Sequence, residues 1–254
     1  MPTFASFDGV RLAYQVWEGS DGHARPVVLY HGFAANADAN WVLTGVVAAL
    51  SDAGYPVVAL DARGHGASEA PHDSSAYTAE AMTKDVSALI DELGVDEISL
   101  VGYSLGAVLS LLVAGTDKRV RCLATGGVGS GVVDFGGFDG NVVTADDIAG
   151  ALLADDPSDI PAAGAPFRAL VDFVGSDRVA LAAVIRADRP TSIDLTAITV
   201  PTLVFAGESD QLAAEPERLA AAIAGARLVR VPGDHVTALS RPEFTKALVD
   251  FLAT

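Results

Sequence analysis

The chain has 254 residues, 50% of them hydrophobic, and sets 16 Lys plus Arg against 33 Asp plus Glu for a formal net charge of −17. At about 100–200 residues per domain it is one large domain or two small ones, and its negative field disfavours nucleic acid and anionic membrane surfaces as partners. The single cysteine, Cys122, excludes an internal disulfide framework and any multi-cysteine metal site. No run of about 18 apolar residues is available to span a bilayer. Met1-Pro2-Thr3-Phe4 lacks the basic and apolar regions of a signal peptide, so the expected location is the cytoplasm.

In chain order, residues 4–7 and 12–17 flank Asp8-Gly9, a strong hairpin signal. Short apolar runs follow at 27–30, 57–60, 98–101, 120–124, 202–205 and 227–231, most of them near-continuous, as strands buried on both faces require. Helical stretches lie between them: 41–53 before Gly54, 79–93 before Gly94, then 105–114, 216–224 and 242–252. The last two open with proline, which a first helical turn tolerates. This alternation predicts an α/β fold with a mostly parallel eight-stranded sheet and helices on both faces.

From 132 to 195 the rhythm breaks. Gly136-Gly137, Asp155-Asp156-Pro157, Pro161 and Pro166 precede helical runs at 167–174 and 178–187. Residues 1–131 and 196–254 are therefore read as the core, and 132–195 as a helical lid over the carboxyl ends of the strands, where open α/β sheets bind ligands. Phe135, Phe138, Phe167 and Phe173 are candidate apolar walls beneath it.

The sharpest motif is Gly102-Tyr103-Ser104-Leu105-Gly106, placed between an apolar strand and a helical run. Glycine two residues either side of a serine permits a sharp strand-to-helix turn that exposes the hydroxyl. The helix starting there aims free N–H groups and its positive dipole end at the site. A serine hydroxyl needs an adjacent base, and the base needs an orienting group. Of five histidines, His23 and His72 lie in polar loops and read as solvated surface; His31 and His65 sit in glycine-rich turns ahead of the serine. His235 follows the strand at 227–231, and Asp210 follows the strand at 202–205. Ser104, Asp210 and His235 thus fall on three strand ends as a nucleophile–acid–base set.

With these residues in place, the chain resembles the α/β-hydrolase superfamily. The matching pieces are His31-Gly32-Phe33, Asp61-x-Arg63-Gly64-His65-Gly66-x-Ser68, the turn at 102–106, Gly207-x-x-Asp210 and Gly233-Asp234-His235, in the family's order over nearly the whole chain. The resemblance implies the α/β-hydrolase fold, Ser104 as nucleophile, His235 as general base and acid, and Asp210 as its orienter in preference to Glu208 or Asp234. It further implies an oxyanion hole from the N–H groups of Phe33 and Leu105, with Phe33 and Tyr103 against the substrate. Family members that dehalogenate or open epoxides use an Asp where this chain has Ser104, so acyl transfer to water is the expected chemistry.

The Asp61–Ser68 stretch reads as a braced turn, since one His with one Asp is poor metal ligation. Gly126-Gly127-Val128-Gly129-Ser130-Gly131 does not fit a dinucleotide-binding fingerprint, and no phosphate-binding loop motif is present. Neither cofactor nor metal is expected. The predicted function is a serine hydrolase of a small or medium carboxylic ester. Alternatives are a carbon–carbon bond or lactone hydrolase using the same three residues, and a non-catalytic ligand receptor on the same fold. A small molecule is the expected partner, and the oligomeric state is left open.

Overall fold

The hairpin predicted at Asp8-Gly9 opens the sheet: β1 (Thr3–Ala5) pairs antiparallel with β2 (Arg11–Trp17). The computed structural model describes residues 1–20, 25–138 and 143–254. Six further strands are β3 (Val27–Tyr30), β4 (Val57–Leu60), β5 (Ile98–Tyr103), β6 (Val120–Gly126), β7 (Thr202–Gly207) and β8 (Arg227–Val231). The sheet order is β1-β2-β4-β3-β5-β6-β7-β8. β2 runs antiparallel to β4, and every pairing from β4 through β8 is parallel.

The central strands are apolar throughout because each presents alternate residues to two buried layers. Val28, Tyr30, Val58, Leu60 and Leu100 face one core; Val27, Leu29, Val57, Ala59, Val101 and Tyr103 face the other. The described residues hold nine α-helices: α1 (Val46–Asp52), α2 (Ala79–Leu93), α3 (Leu105–Thr116), α4 (Ser130–Phe135), α5 (Ala145–Leu153), α6 (Ala165–Val174), α7 (Arg178–Arg186), α8 (Pro216–Ala222) and α9 (Pro242–Leu252). Helix α2 begins where the Thr78 hydroxyl accepts the Ala81 N–H and ends at Gly94, φ +62°. Its Met82, Val86, Leu89 and Ile90 join α3 on the first core, while α1 and α9 cover the second. Helices therefore lie on both faces of the sheet.

Two expectations change in detail. The run at 41–53 is not one helix: Gly45, at φ +82°, separates a wide turn over Asp38–Val42 from α1. Between β6 and β7 the chain folds into four helices rather than two, from α4 to α7. Helix α5 starts with a reciprocal cap, in which the Thr144 hydroxyl accepts the Asp147 N–H and the Asp147 carboxylate accepts the Thr144 N–H. Ile148, Leu152, Val171, Leu181 and Val184 of this insertion extend the core that α2 and α3 share. Among the described residues no helix is long and apolar enough to cross a membrane.

Candidate active site

Ser104 sits between β5 and α3 at φ +55°, ψ −120°, a conformation rare for any residue with a Cβ. Its N–H donates to the Gly126 carbonyl at 2.8 Å, and its carbonyl accepts the N–H groups of Ala107 and Val108 at 2.9 and 3.1 Å. The two flanking glycines are required by close approach. A Cβ on Gly102 would lie 2.4 Å from the Gly106 carbonyl oxygen, and one on Gly106 only 2.1 Å from that of Tyr30. The Gly-x-Ser-x-Gly pattern thus lets α3 lie hard against β3 and β5 while the serine is pushed outward.

The ends of β7 and β8 bring the other two candidates to it. His235 Nε2 is 2.9 Å from Ser104 Oγ, and His235 Nδ1 is 2.9 and 3.0 Å from the two carboxylate oxygens of Asp210. A carboxylate accepts only, so Nδ1 carries the proton and Nε2 presents its lone pair to the serine hydroxyl. The Asp210 side chain is fully buried, and its Oδ1 also accepts the N–H groups of Leu212 and Ala213 at 2.9 and 3.2 Å. The rival acids lie elsewhere. Glu208 is exposed, and the Asp234 carboxylate closes its own loop by accepting the N–H groups of Val236 and Thr237 and the Thr237 hydroxyl.

The N–H groups of Phe33 and Leu105 make no hydrogen bond among the described residues, whereas the donors around Phe33 are engaged. Gly32 N–H donates to Asn40 Oδ1 at 2.9 Å, and Ala34 N–H to His65 Nε2 at 3.2 Å, with Ala34 at φ +64°. His31 Nδ1 donates to the Gly32 carbonyl at 2.7 Å, and His31 Nε2 accepts the Ala62 N–H at 3.0 Å. Both imidazoles are fixed by backbone rather than by a substrate-facing role. Burial holds both below the ordinary histidine range, and burial together with its neighbour His31 brings His65 to about 3.

The Asp61–Ser68 turn is braced. Asp61 accepts the N–H groups of Ala37 and Ala67, and Arg63 forks onto Asp85 at 2.6 and 2.7 Å and reaches Asp8 at 2.9 Å. His72 is exposed and pairs with Asp177 at 2.9 Å. His23 lies outside the described residues.

A cavity of about 260 Å³ opens beside Ser104, walled by Phe33, Leu105, Phe135, Phe138 and Phe167 among others. Two expectations need correction. Phe173 is 78% exposed and points away into solvent. Tyr103 does not line the cavity: it shares the strand parity of Val101, so its ring enters the opposite core, beneath His235 and against Phe244. Arg189, which follows α7, does line the cavity and was not anticipated. No local pattern marks it, because its burial depends on how the insertion packs on the sheet.

Residues 25–159 match the model of the alpha/beta hydrolase fold family. Over 42% of this chain the sequence is 37% identical to a non-heme chloroperoxidase of Kitasatospora aureofaciens, covering 35% of that protein. Over 40% it is 39% identical to epoxide hydrolase A of Mycobacterium tuberculosis, covering 30% of that protein. The matched stretches thus span about a third of these relatives' own length. The solved structure of an enol-lactonase from Burkholderia xenovorans LB400 is 28% identical and superposes with a TM-score of 0.76 over 100% of both chains.

Proposed function

Because the chain belongs to the α/β-hydrolase fold family, we propose that it is a serine hydrolase that cleaves a small or medium carboxylic ester through an acyl-enzyme on Ser104. The observation that carries this reading is the continuous chain of hydrogen bonds from Asp210 through His235 to Ser104 Oγ.

His235 Nε2 takes the Ser104 proton as Oγ attacks the ester carbonyl carbon. The negative charge that develops on the carbonyl oxygen meets the free N–H groups of Phe33 and Leu105, where loss of one such donor typically costs about 10²–10³ in rate. The imidazolium then gives its proton to the departing alkoxide, leaving an ester on Ser104. Water, deprotonated by the same Nε2, attacks that ester, and collapse of the second tetrahedral species returns the proton to Ser104 and releases the acid. Asp210 holds the tautomer throughout and stabilises the imidazolium. The helical insertion serves as the lid, and its apolar walls suit a short acyl chain.

Lactone opening is the second reading, supported by the full-length similarity to an enol-lactonase. It uses the same steps with the leaving alcohol tethered to the acyl group. Epoxide opening is disfavoured although several relatives bear that name, because its alkyl-ester intermediate requires a carboxylate where this chain has Ser104.

Initial rates on p-nitrophenyl esters from acetyl to octanoyl, with wild type beside Ser104→Ala, test the proposal. Turnover by the wild type that is lost in the variant is the expected result, with a chain-length optimum set by the cavity. Equal turnover by the two proteins overturns it.

A further inference from the structure

Ser104 and Arg189 are the polar residues among the described residues lining the cavity; every other lining residue is Gly, Ala, Val, Leu, Ile, Pro or Phe. Arg189 is half-buried and has no carboxylate within 4 Å among the described residues. Its hydrogen bonds go to neutral acceptors: Nη1 donates to the Tyr77 carbonyl, and Nη2 to the Val184 carbonyl at 3.0 Å and to Met82 Sδ at 3.8 Å. Arg63 shows the contrast, since two carboxylates neutralise it where it is buried. Arg189 also borders a shallow outer hollow with Glu80 and Asp188, but Glu80 is paired to Lys84 and neither carboxylate reaches the guanidinium.

We infer that Arg189 binds a carboxylate carried by the substrate, so that the ester acted on is a half-ester of a short dicarboxylic acid. This rests on the ester-hydrolase reading above and names its substrate class. A cation without a counter-ion beside apolar walls is costly, and the cost is recovered when an anion arrives. A guanidinium has five N–H donors in a planar fork that matches a carboxylate. Three are occupied here; the two left, Nε–H and one Nη1–H, lie on different edges of the plane, so either gives a carboxylate oxygen a single charge-assisted bond. The two carbonyl contacts fix the group in place rather than letting it swing to water. The overall charge of −17 repels anions at long range, so taking an anionic substrate needs a local cation of this kind. Burial lowers the Arg189 pKa, yet an arginine stays protonated at neutral pH.

Matched pairs that exchange a carboxylate for a methyl group test this: monoethyl succinate with ethyl butyrate, monoethyl glutarate with ethyl pentanoate, and monoethyl adipate with ethyl hexanoate. In at least one pair the wild type should prefer the half-ester by about 10–100-fold in kcat/KM, the range of a charge-assisted hydrogen bond. In Arg189→Met that ratio should collapse toward one, mainly through KM, while Arg189→Lys keeps part of it. Arg189 as a purely structural tie would lower both members of a pair together. A wild type that prefers the neutral ester in every pair overturns the inference without recourse to any variant. Calorimetric titration of Ser104→Ala with the half-esters separates the two proposals. Binding that depends on Arg189 without wild-type turnover fails the hydrolase reading alone, and absence of preferential binding fails the anion site.

Discussion

The Tyr103 hydroxyl donates to the backbone carbonyl of His235 at 2.8 Å, with the two rings 5.3 Å apart. The residue before the nucleophile therefore supports the loop that carries the base, from the far side of the sheet. Tyr103→Phe removes this bond and little volume. A hydrogen bond of this kind contributes about 1 kcal/mol, so unfolding should become easier by that amount and kcat should fall about 3–10-fold with KM little changed. Steady-state kinetics on the preferred ester decide the matter. A rise in KM at constant kcat would instead put the Tyr103 ring against the substrate.

Asp210→Asn should be far more damaging to turnover while sparing the fold. The amide oxygen can still accept the N–H groups of Leu212 and Ala213 that the carboxylate holds now. What it loses is an ionised acceptor for His235 Nδ1–H. An amide N–H turned toward Nδ1 would favour the tautomer with its proton on Nε2, which cannot accept from Ser104. We expect kcat to drop about 10³–10⁴-fold with a melting temperature within a few degrees of wild type. A loss of less than tenfold would mean that another group orients His235.

Two glycines of the same helix should respond in opposite ways to alanine. Gly106→Ala places a methyl 2.1 Å from the Tyr30 carbonyl oxygen and 2.5 Å from that of His31, both backbone atoms that cannot step aside. The expected loss exceeds about 3 kcal/mol. Gly115→Ala meets only the Ala197 methyl at 3.6 Å, an ordinary contact, and should gain about 0.5–1 kcal/mol from helix propensity. Urea midpoints of the two variants are the measurement, and similar midpoints would remove close packing as the reason for the motif.

Much of this arrangement could be read directly from residues. The parallel strands show as short apolar runs because each is buried on two faces, and Ser104, Asp210 and His235 stand out because each follows such a run. What escaped reading depended on three-dimensional context. Gly45 splits a stretch whose apolar spacing looks continuous, because one left-handed residue is enough to end a helical turn. Helix α5 was hidden among acidic residues, although Thr144 and Asp147 spell a capping pair. The family resemblance puts Tyr103 against the substrate, whereas strand parity sends neighbouring side chains to opposite faces. Arg189 has no sequence mark at all, since an arginine in a loop is usually solvated and only the packing of α7 against the Tyr77 segment buries it.

His65 supplies a pH dependence of stability. Its folded-state pKa is pushed down to about 3 by burial and by His31, and His31 is pushed in the same direction. In the unfolded chain an imidazole titrates near about 6.5. As pH falls through that value the unfolded chain takes up a proton that folded His65 refuses, so stability is full above about 6.5 and is lost progressively down toward pH 3. One such group accounts for about 2 kcal/mol between pH 7 and pH 5, a window in which ordinary carboxylates stay largely ionised. His65→Gln removes the titration while keeping an oxygen able to accept the Ala34 N–H. The variant's unfolding free energy should therefore decline less steeply from pH 7 to pH 5 than the wild type's, by roughly that amount. Parallel slopes would show that His65 is protonated in the folded protein. In that case its Nε2 could not accept the Ala34 N–H that orders the backbone beside Phe33, and the candidate oxyanion hole would lose the contact that shapes it.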